Sequence, residues 1–599
     1  MKVLLDLQPL MTGSRFRGIG RYTLNHAKSF IKQNNNDEIF LLINDSCSGS
    51  LEFVRNEFSE FVSDDHIVIC RYPLSVFDSD IEWLKAGAAG AFELFQLIRE
   101  AFISSLHPDF VLIYSHFEFA FSASSIKKYS DIPTGVIVYD FIPYHEKMFS
   151  GWMLDSYNEK IESLKNADII LCISDYISKD AESIIDVGAS GAIKPIGTGK
   201  DGFWKNIDVS DEEKQAFFKK FGLDKDFILY AGGIEGRKNV KKLVEAYSLL
   251  SEEIKENNSL FIICGKHEKE QKELEQFASS CGISGHAVFG GYVSNEDLRM
   301  AYSLCRLFVF PSLSEGFGLT PLEAMSCGAP AIASDRTSIP EVIGMERALF
   351  DPEDAESIKA KIEEALTDEA FYGSLKSHAL IQSEKFSWDS IAFDTWKHIK
   401  DLFADKSFCD YDAIDLEDCI GLAADCLNKD KSWDLPLSDR LLKEISECIA
   451  GIYNENNEKS KKIFLELSVL DTVDAGSGIQ RVSKNILKHL PSIAAGYDVV
   501  PVKMCNGGYE YCRKFASNPR SESFAYPSRN DLFFFPELSM LQITENINYF
   551  LQMKERGIRL VSMVYDRIPV KYPETCSDTV AEHFSESLKS VAQFDGVVC

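Results

Sequence analysis

The sequence predicts an α/β protein of Rossmann-like lobes. Two lobes face one another across a cleft, and a partial copy of the first stands at the C-terminal end. Three observations predict it. Short apolar runs alternate with helical patterns, the signature of parallel sheets. The alternation breaks at a Gly- and charge-rich stretch, 197–214, and then resumes. Finally, the chain repeats its own beginning, and self-similarity outranks local propensity when architecture is read.

In the first set, strands read at Val3–Leu7, Ile39–Ile43, Ile67–Cys70, Phe110–Tyr114, Thr134–Tyr139 and Ile169–Ile173. In the second they read at Phe227–Ala231, Leu260–Cys264, Ala287–Phe289, Leu307–Phe310 and Ala331–Ala333. The expected divisions are 1–200 for the first lobe and 201–385 for the second. An aromatic-rich helix, 386–404, returns to the first lobe. A helical linker over 405–460 is followed by a repeated first lobe, 461–599. Residues 3–28 align without gaps on 463–488, with nine of those 26 positions identical. Val138-Tyr139-Asp140 then matches Val564-Tyr565-Asp566, and Asp168 to Cys172 matches Asp595 to Cys599.

At 599 residues the chain is too long for one core. A formal charge of −29 argues against a nucleic-acid partner, which takes clustered Lys and Arg. The 15 cysteines form no CxxC pair and several sit in apolar strands, so a reduced, cytoplasmic setting is expected. The N-terminal apolar run is too short for a signal peptide, and no stretch of about 18 apolar residues exists to span a membrane.

The candidate site lies in the second lobe. Glu315 and Glu323 flank a glycine turn, Gly316-Phe317-Gly318-Leu319, after the apolar run Leu307-Phe308-Val309-Phe310. The two glycines free backbone N–H groups to point at an anion. The helix opening near Pro321 adds its positive end, with Glu323 placed in its first turn. Such a carboxylate suits the diol of a ribose, and Glu315 suits the hydroxyls of a sugar. Upstream, Gly232-Gly233-Ile234-Glu235-Gly236 leads to Arg237-Lys238-Asn239, where two adjacent cations can neutralise a diphosphate and Asn239 is an acceptable N-cap. The plain alternatives are a solvated turn for the cations and an ordinary helix N-terminal acid for Glu323.

Together these residues resemble the retaining GT-B glycosyltransferases of the large family 4. Gly291-Tyr292-Val293-Ser294, Ile339-Pro340-Glu341-Val342 and Phe386-Ser387-Trp388 support the resemblance. It implies that Lys238 and Arg237 bind the donor diphosphate and that Glu323 holds the ribose. It gives the sugar and phosphates to Glu315 and the Gly316–Leu319 backbone. Base contacts come from around Tyr292 and Val293, and Gly18 to Tyr22, with Gly18 and Gly20, closes over the diphosphate. It implies sugar transfer with retention, and no cofactor or metal is indicated; the acidic pairs Asp64-Asp65 and Asp78-Ser79-Asp80 lie elsewhere. Many relatives carry a histidine where Tyr139 stands. A tyrosine with a reference pKa near 10 is no base at neutral pH, which moves that role to Asp140, His116 or His145. Asp140 is the candidate for a polar contact to the reacting sugar or acceptor; its plain alternative is capping the turn before Ile142.

The tandem layout is similar to the bacterial O-antigen mannosyltransferases that carry two transferase modules on one chain. That narrower resemblance implies mannose from GDP-mannose, an oligosaccharide or lipid-linked glycan acceptor, and work at the inner face of the membrane or beside a polysaccharide-assembly protein. Two other readings stay open: a GT-B-fold sugar-nucleotide epimerase, and a degenerate glycan-binding module. The apolar segment Trp83 to Leu106 reads either as a core-facing helix or as a lip for a lipid-linked acceptor or a dimer face.

Overall fold

The computed structural model describes the chain apart from residues 35, 45–49, 73–88, 119–123, 187–191, 266–267, 406–407, 409–410, 430–438, 455–460, 473–475, 495, 506–507, 516–526, 528–530, 538–539, 556–557, 566–567, 573–576 and 599. Asp78, Asp80, Asp566, Cys599 and residues 455–460 at the end of the expected linker therefore lie outside the described residues.

Three sheets organise the chain. The first comprises β1 (Lys2–Asp6), β2 (Glu38–Asn44), β3 (Ile67–Cys70), β4 (Phe110–Ile113), β5 (Thr134–Val138), β6 (Ile169–Cys172) and β7 (Ala192–Pro195). They run parallel in the order β3-β2-β1-β4-β5-β6-β7. The second comprises β8 (Asp226–Gly232), β9 (Asn258–Cys264), β10 (Ala287–Gly291), β11 (Leu307–Phe310), β12 (Ala331–Ser334) and β13 (Leu349–Phe350), also parallel, in the order β10-β9-β8-β11-β12-β13. These are the two Rossmann-like lobes, and the order reverses beside β1 and β8, where an open sheet places its ligands. The sequence reading missed β7 and β13. The first is a half-exposed edge strand carrying Lys194 and Pro195, and the second is two residues long.

The third sheet comprises β14 (Lys461–Glu466), β15 (Tyr497–Cys505), β16 (Gly508–Tyr511), β17 (Leu532–Phe535), β18 (Arg559–Met563) and β19 (Gly596–Val598). Its order β16-β15-β14-β17-β18-β19 repeats that of the first, except that β16 pairs antiparallel to β15 as a hairpin. The likeness extends to side chains. Asp109 accepts the Lys2 backbone N–H at 2.6 Å, and Asp531 accepts that of Lys462 at 2.7 Å. Asp168 accepts from Thr134 N at 2.9 Å, and Asp595 from Leu560 N at 2.8 Å. Each clamps the start of one strand to the start of the next.

The helix Trp388–Asp405 crosses back to the first lobe as expected and packs on the helix Gly18–Lys32. The Phe30 and Trp396 rings stack at 4.1 Å, and the Trp396 indole donates to the Phe30 carbonyl at 2.9 Å. His26 is buried between them, with Nδ1 2.7 Å from the Tyr114 hydroxyl and Nε2 3.0 Å from the Thr395 hydroxyl. Burial pushes its imidazole down to about 3. The folded value lies below the ordinary 6.5, so the unfolded chain binds the proton more readily. The stability this residue contributes is complete above 6.5 and is lost as pH falls from there toward 3, by up to about 1.4 kcal/mol per pH unit. Urea unfolding at pH 5 and pH 7 checks it: His26→Gln flattens the pH dependence relative to wild type, and equal slopes would refute the prediction.

The Trp83–Leu106 segment turns inward. Of its described part, the helix Ala89–Ser105 buries Phe95, Phe102 and Ile103. The helices Leu416–Lys429 and Asp439–Asn454 cover it, contributing Cys419, Ala423, Ile445 and Ile449 to one core with it. The 405–460 stretch, expected as a linker, is docked in its described parts. Ile414 N donates to Ser104 Oγ at 3.2 Å, and the Tyr411 hydroxyl donates to the Pro108 carbonyl at 2.7 Å.

Candidate active site

The strand β8 ends in glycines, and the chain turns through Gly236–Lys238 before the helix Val240–Ser248. Asn239 stands at the helix start with φ 57°, but its side chain caps nothing there. Its amide instead reaches the Pro311 and Pro352 carbonyls at 3.2 and 2.7 Å, fixing the cationic turn to the chain that follows β11 and to that which follows β13.

That loop carries Glu315. Lys238 Nζ lies 2.6 Å from its Oε1 and Arg237 Nη1 lies 3.2 Å from its Oε2, with the carboxylate 11% exposed. Burial pushes the Glu315 carboxyl up, but Lys238 and Arg237 outweigh it and hold the group below the ordinary carboxylate range. Two cations share the Glu315 carboxylate, and Glu235 and Asp140 also act on Arg237. Arg237 also donates to the Ser314 carbonyl at 3.0 Å.

The helix after the turn begins at Leu319, two residues earlier than Pro321, because Gly318 takes φ 118° and starts it. Glu323 accordingly sits in the second turn, not the first. It is buried and meets Arg21 of the first lobe at 2.5 Å. Burial nevertheless raises its carboxyl to about 7, outweighing the charge and hydrogen bond of Arg21, with Asp201 adding to the rise. Sequence reasoning placed Arg21 in the glycine loop without this pairing.

Across the cleft, helix Gly18–Lys32 starts at Gly18. A Cβ at Gly18 would lie 3.4 Å from Leu319 Cδ1, so the two helix starts meet. A Cβ at Gly20 would lie 2.4 Å from Arg15 Cα, which is why the Gly13–Phe16 turn can fold onto the helix. No side chain caps either helix start. Helices beginning at Asp175, Asp211, Asn295 and Ala355 carry Ser or Asp caps, whereas those beginning at Trp152, Val240 and Ile339 also lack one, so it is the meeting of the two starts that sets this pair apart. Two positive helix ends facing one another can receive an anion.

Asp140 stands where β5 ends. Its Oδ1 accepts from Ile142 N at 3.0 Å, the capping expected as the plain alternative, yet the carboxyl also faces the cleft. Burial raises it, with the Ile142 N–H and Arg237 opposing and Glu315 adding. Tyr139 turns inward: its hydroxyl is 3.3 Å from Thr23 Oγ1 and its ring meets Tyr22 edge-on. His116 is also interior, its ring nitrogens 3.0 and 2.8 Å from Ser124 and Ser163 hydroxyls, so the structure removes it as a stand-in for the histidine. His145 sits at the surface 2.9 Å from Asp180.

Phe317 is buried against Phe386, so only its backbone reaches the cleft. Tyr292 is 69% exposed after β10, and Val293 packs on the core. Sequence reasoning missed Thr337 and Ser338. Thr337 Oγ1 accepts from Glu315 N at 3.1 Å, while the Ser338 hydroxyl reaches the Glu315 and Phe317 carbonyls at 2.9 and 2.8 Å. Among the described residues, Glu252, Glu256 and His286 could converge on a cation. They lie at the starts of β9 and β10, the end away from the cleft, and Lys225 Nζ already stands 3.0 Å from His286. No described helix is long and apolar enough to cross a membrane.

A family described as "Glycosyl transferases group 1" matches residues 211–383, which span the cationic turn and both glutamates. The serotype-specific mannosyltransferase WbdA of Escherichia coli is 31% identical over all of this chain and 72% of its own length. The O-antigen chain mannosyltransferase B of Escherichia coli is 28% identical over 66% of this chain and 98% of its own. Another WbdA of Escherichia coli is 32% identical over 84% of this chain, and the match spans 63% of its length. Among solved structures, HepE of Anabaena with UDP and glucose aligns with 67% of this chain and 100% of its own, at 17% identity and a TM-score of 0.49. The chain belongs to the group 1 glycosyltransferases, in the family of the WbdA mannosyltransferases.

Proposed function

We propose that the chain transfers mannose, with retention, from GDP-mannose to a growing O-antigen glycan. One observation carries the transferase reading: two uncapped helix starts from opposite lobes meet beside Lys238 and Arg237. A diphosphate placed there gains two cations and two helix ends without a metal. The mannosyl donor and the O-antigen acceptor are supported by what the relatives are named for.

In this reading the second lobe binds the donor. Glu323 takes the ribose diol, sharing its carboxylate with Arg21, and Tyr292 and Val293 flank the base. Glu315 takes sugar hydroxyls and keeps both cations aimed at the diphosphate. Retention by double displacement needs a carboxylate beneath the ring. Glu315 is tied by two cations and suited to hydroxyls, so attack on the front face is favoured, with the leaving diphosphate accepting the acceptor proton. Lys238, Arg237 and the helix ends stabilise the charge that grows on that diphosphate, each such contact contributing roughly 3–4 kcal/mol. Asp140 positions the acceptor or the sugar from the first lobe. The 461–599 unit is proposed as the first lobe of a second transferase module, which its sheet order and repeated aspartate clamps support.

The test incubates the purified chain with GDP-, UDP- and dTDP-sugars and a short mannose oligosaccharide, with and without EDTA. The expected result is a hexose mass gain with GDP-mannose that EDTA leaves intact, and NMR of the new linkage shows the anomer of the donor. Epimerisation without acceptor, or an inverted anomer, removes the reading.

A further inference from the structure

The lobes also meet away from the helix starts. Glu341, on the short second-lobe helix Ile339–Ile343, reaches the first-lobe helix Asp175–Ile184. Its Oε2 accepts from Asp175 N at 2.9 Å and its Oε1 from Tyr176 N at 2.7 Å. That helix already has its own cap, since Ser174 Oγ accepts from Ile177 N at 3.1 Å. The two N–H groups Glu341 takes are ones a helix end can leave to water. Its carboxylate is therefore spent on holding one lobe to the other.

The same segment holds the reactive loop. Thr337 and Ser338 grip the Glu315 N–H and the Glu315 and Phe317 carbonyls. Ser174, at the start of the latched helix, donates to the Gly316 carbonyl at 2.9 Å. Behind Glu341, Gln382 donates to the Glu341 and Val342 carbonyls at 3.2 and 3.3 Å. Residues 337–341 thus join the Glu315 loop and the first-lobe helix in one rigid piece.

We propose that Glu341 is a positioning residue for sugar transfer. By latching the helix at Asp175, it seats the Glu315–Gly316 loop against Asp140, so that the groups of the two lobes act on one sugar. Its activity readout rests on the transferase reading above, whereas its scattering readout does not.

The experiment compares wild type with Glu341→Gln, Glu341→Ala, Ser174→Ala and the Glu341→Ala/Ser174→Ala pair. It measures kcat and donor KM, thermal midpoint, and the radius of gyration by X-ray scattering with GDP and with UDP. Gln retains one accepting oxygen, so kcat falls in the order Glu, Gln, Ala, with Ala down about tenfold or more. The thermal midpoint stays near wild type, and the nucleotide-bound radius of gyration rises in Glu341→Ala. Ser174→Ala costs less on the Glu341→Ala background than alone, because both serve one closure. Wild-type kcat in the Glu341 variants overturns the proposal. So does a kcat loss with unchanged scattering, or strict additivity in the pair. If Glu341→Ala does not fold, Glu341→Gln decides by the same readouts. A wild-type chain inert with every donor defeats the transferase reading, and scattering then decides the latch alone.

Discussion

Lys238→Ala lowers kcat/KM at least about a hundredfold. The Lys238 side chain is 12% exposed and its Nζ sits 2.6 Å from Glu315, so water is a poor replacement for its charge at a bound diphosphate. Removing it takes charge from the leaving group and leaves Glu315 to Arg237 alone. Glu315→Ala has an effect of the same size by a different route. It takes from two poorly hydrated cations the carboxylate they share, leaving Arg237 the Ser314 carbonyl, and a buried charge that loses its partner is costly. Its thermal midpoint therefore drops as well, while that of Lys238→Ala changes little. Steady-state kinetics on both purified variants check this, and near-normal turnover in either removes these residues from the site.

Gly316→Ala abolishes most turnover while the lobes stay folded. A Cβ there would lie 2.2 Å from the Tyr139 carbonyl oxygen and 3.2 Å from Asp140 Cβ, both in the opposite lobe. The added methyl cannot be absorbed by a flexible side chain, because what it meets first is backbone. The lobes must part, which separates Asp140 from Glu315, and a displacement of about 1 Å costs on the order of a hundredfold. The expected outcome is a loss of about that size in kcat, with an unchanged thermal midpoint. Retained activity would mean the lobes do not need this approach.

Most of this was legible in the residues. Strand positions followed from apolar runs, because a doubly covered parallel strand must be apolar on both faces. The third sheet followed from repetition, which needs no propensity at all. The cationic turn and the carboxylates could be named because glycine, charge and a coming helix leave few alternatives. What stayed hidden depends on the other lobe. Arg21 on Glu323 joins residues 302 positions apart, and nothing local announces it. Ser174 had a legible sign as an N-cap after a strand, but its donation to Gly316 did not. The Trp83–Leu106 segment looked apolar enough for a lip because its cover comes from helices more than 300 residues later.

The repeated aspartate clamps have an evolutionary meaning. Once a lobe is copied within one chain, each copy drifts under its own demands, and whatever both still share is what neither could lose. Asp109 and Asp531, Asp168 and Asp595 still tie the same strand starts. At the helix start Gly18, Ile19 and Arg21 recur as Gly478, Ile479 and Arg481, and one position between them has changed. Gly20 of the first copy is Gln480 in the second, where Gln480 and Ser477 close the helix end with reciprocal hydrogen bonds. That one exchange turns an open helix end into a closed one, while the aspartates that set the strand starts stay in place in both copies.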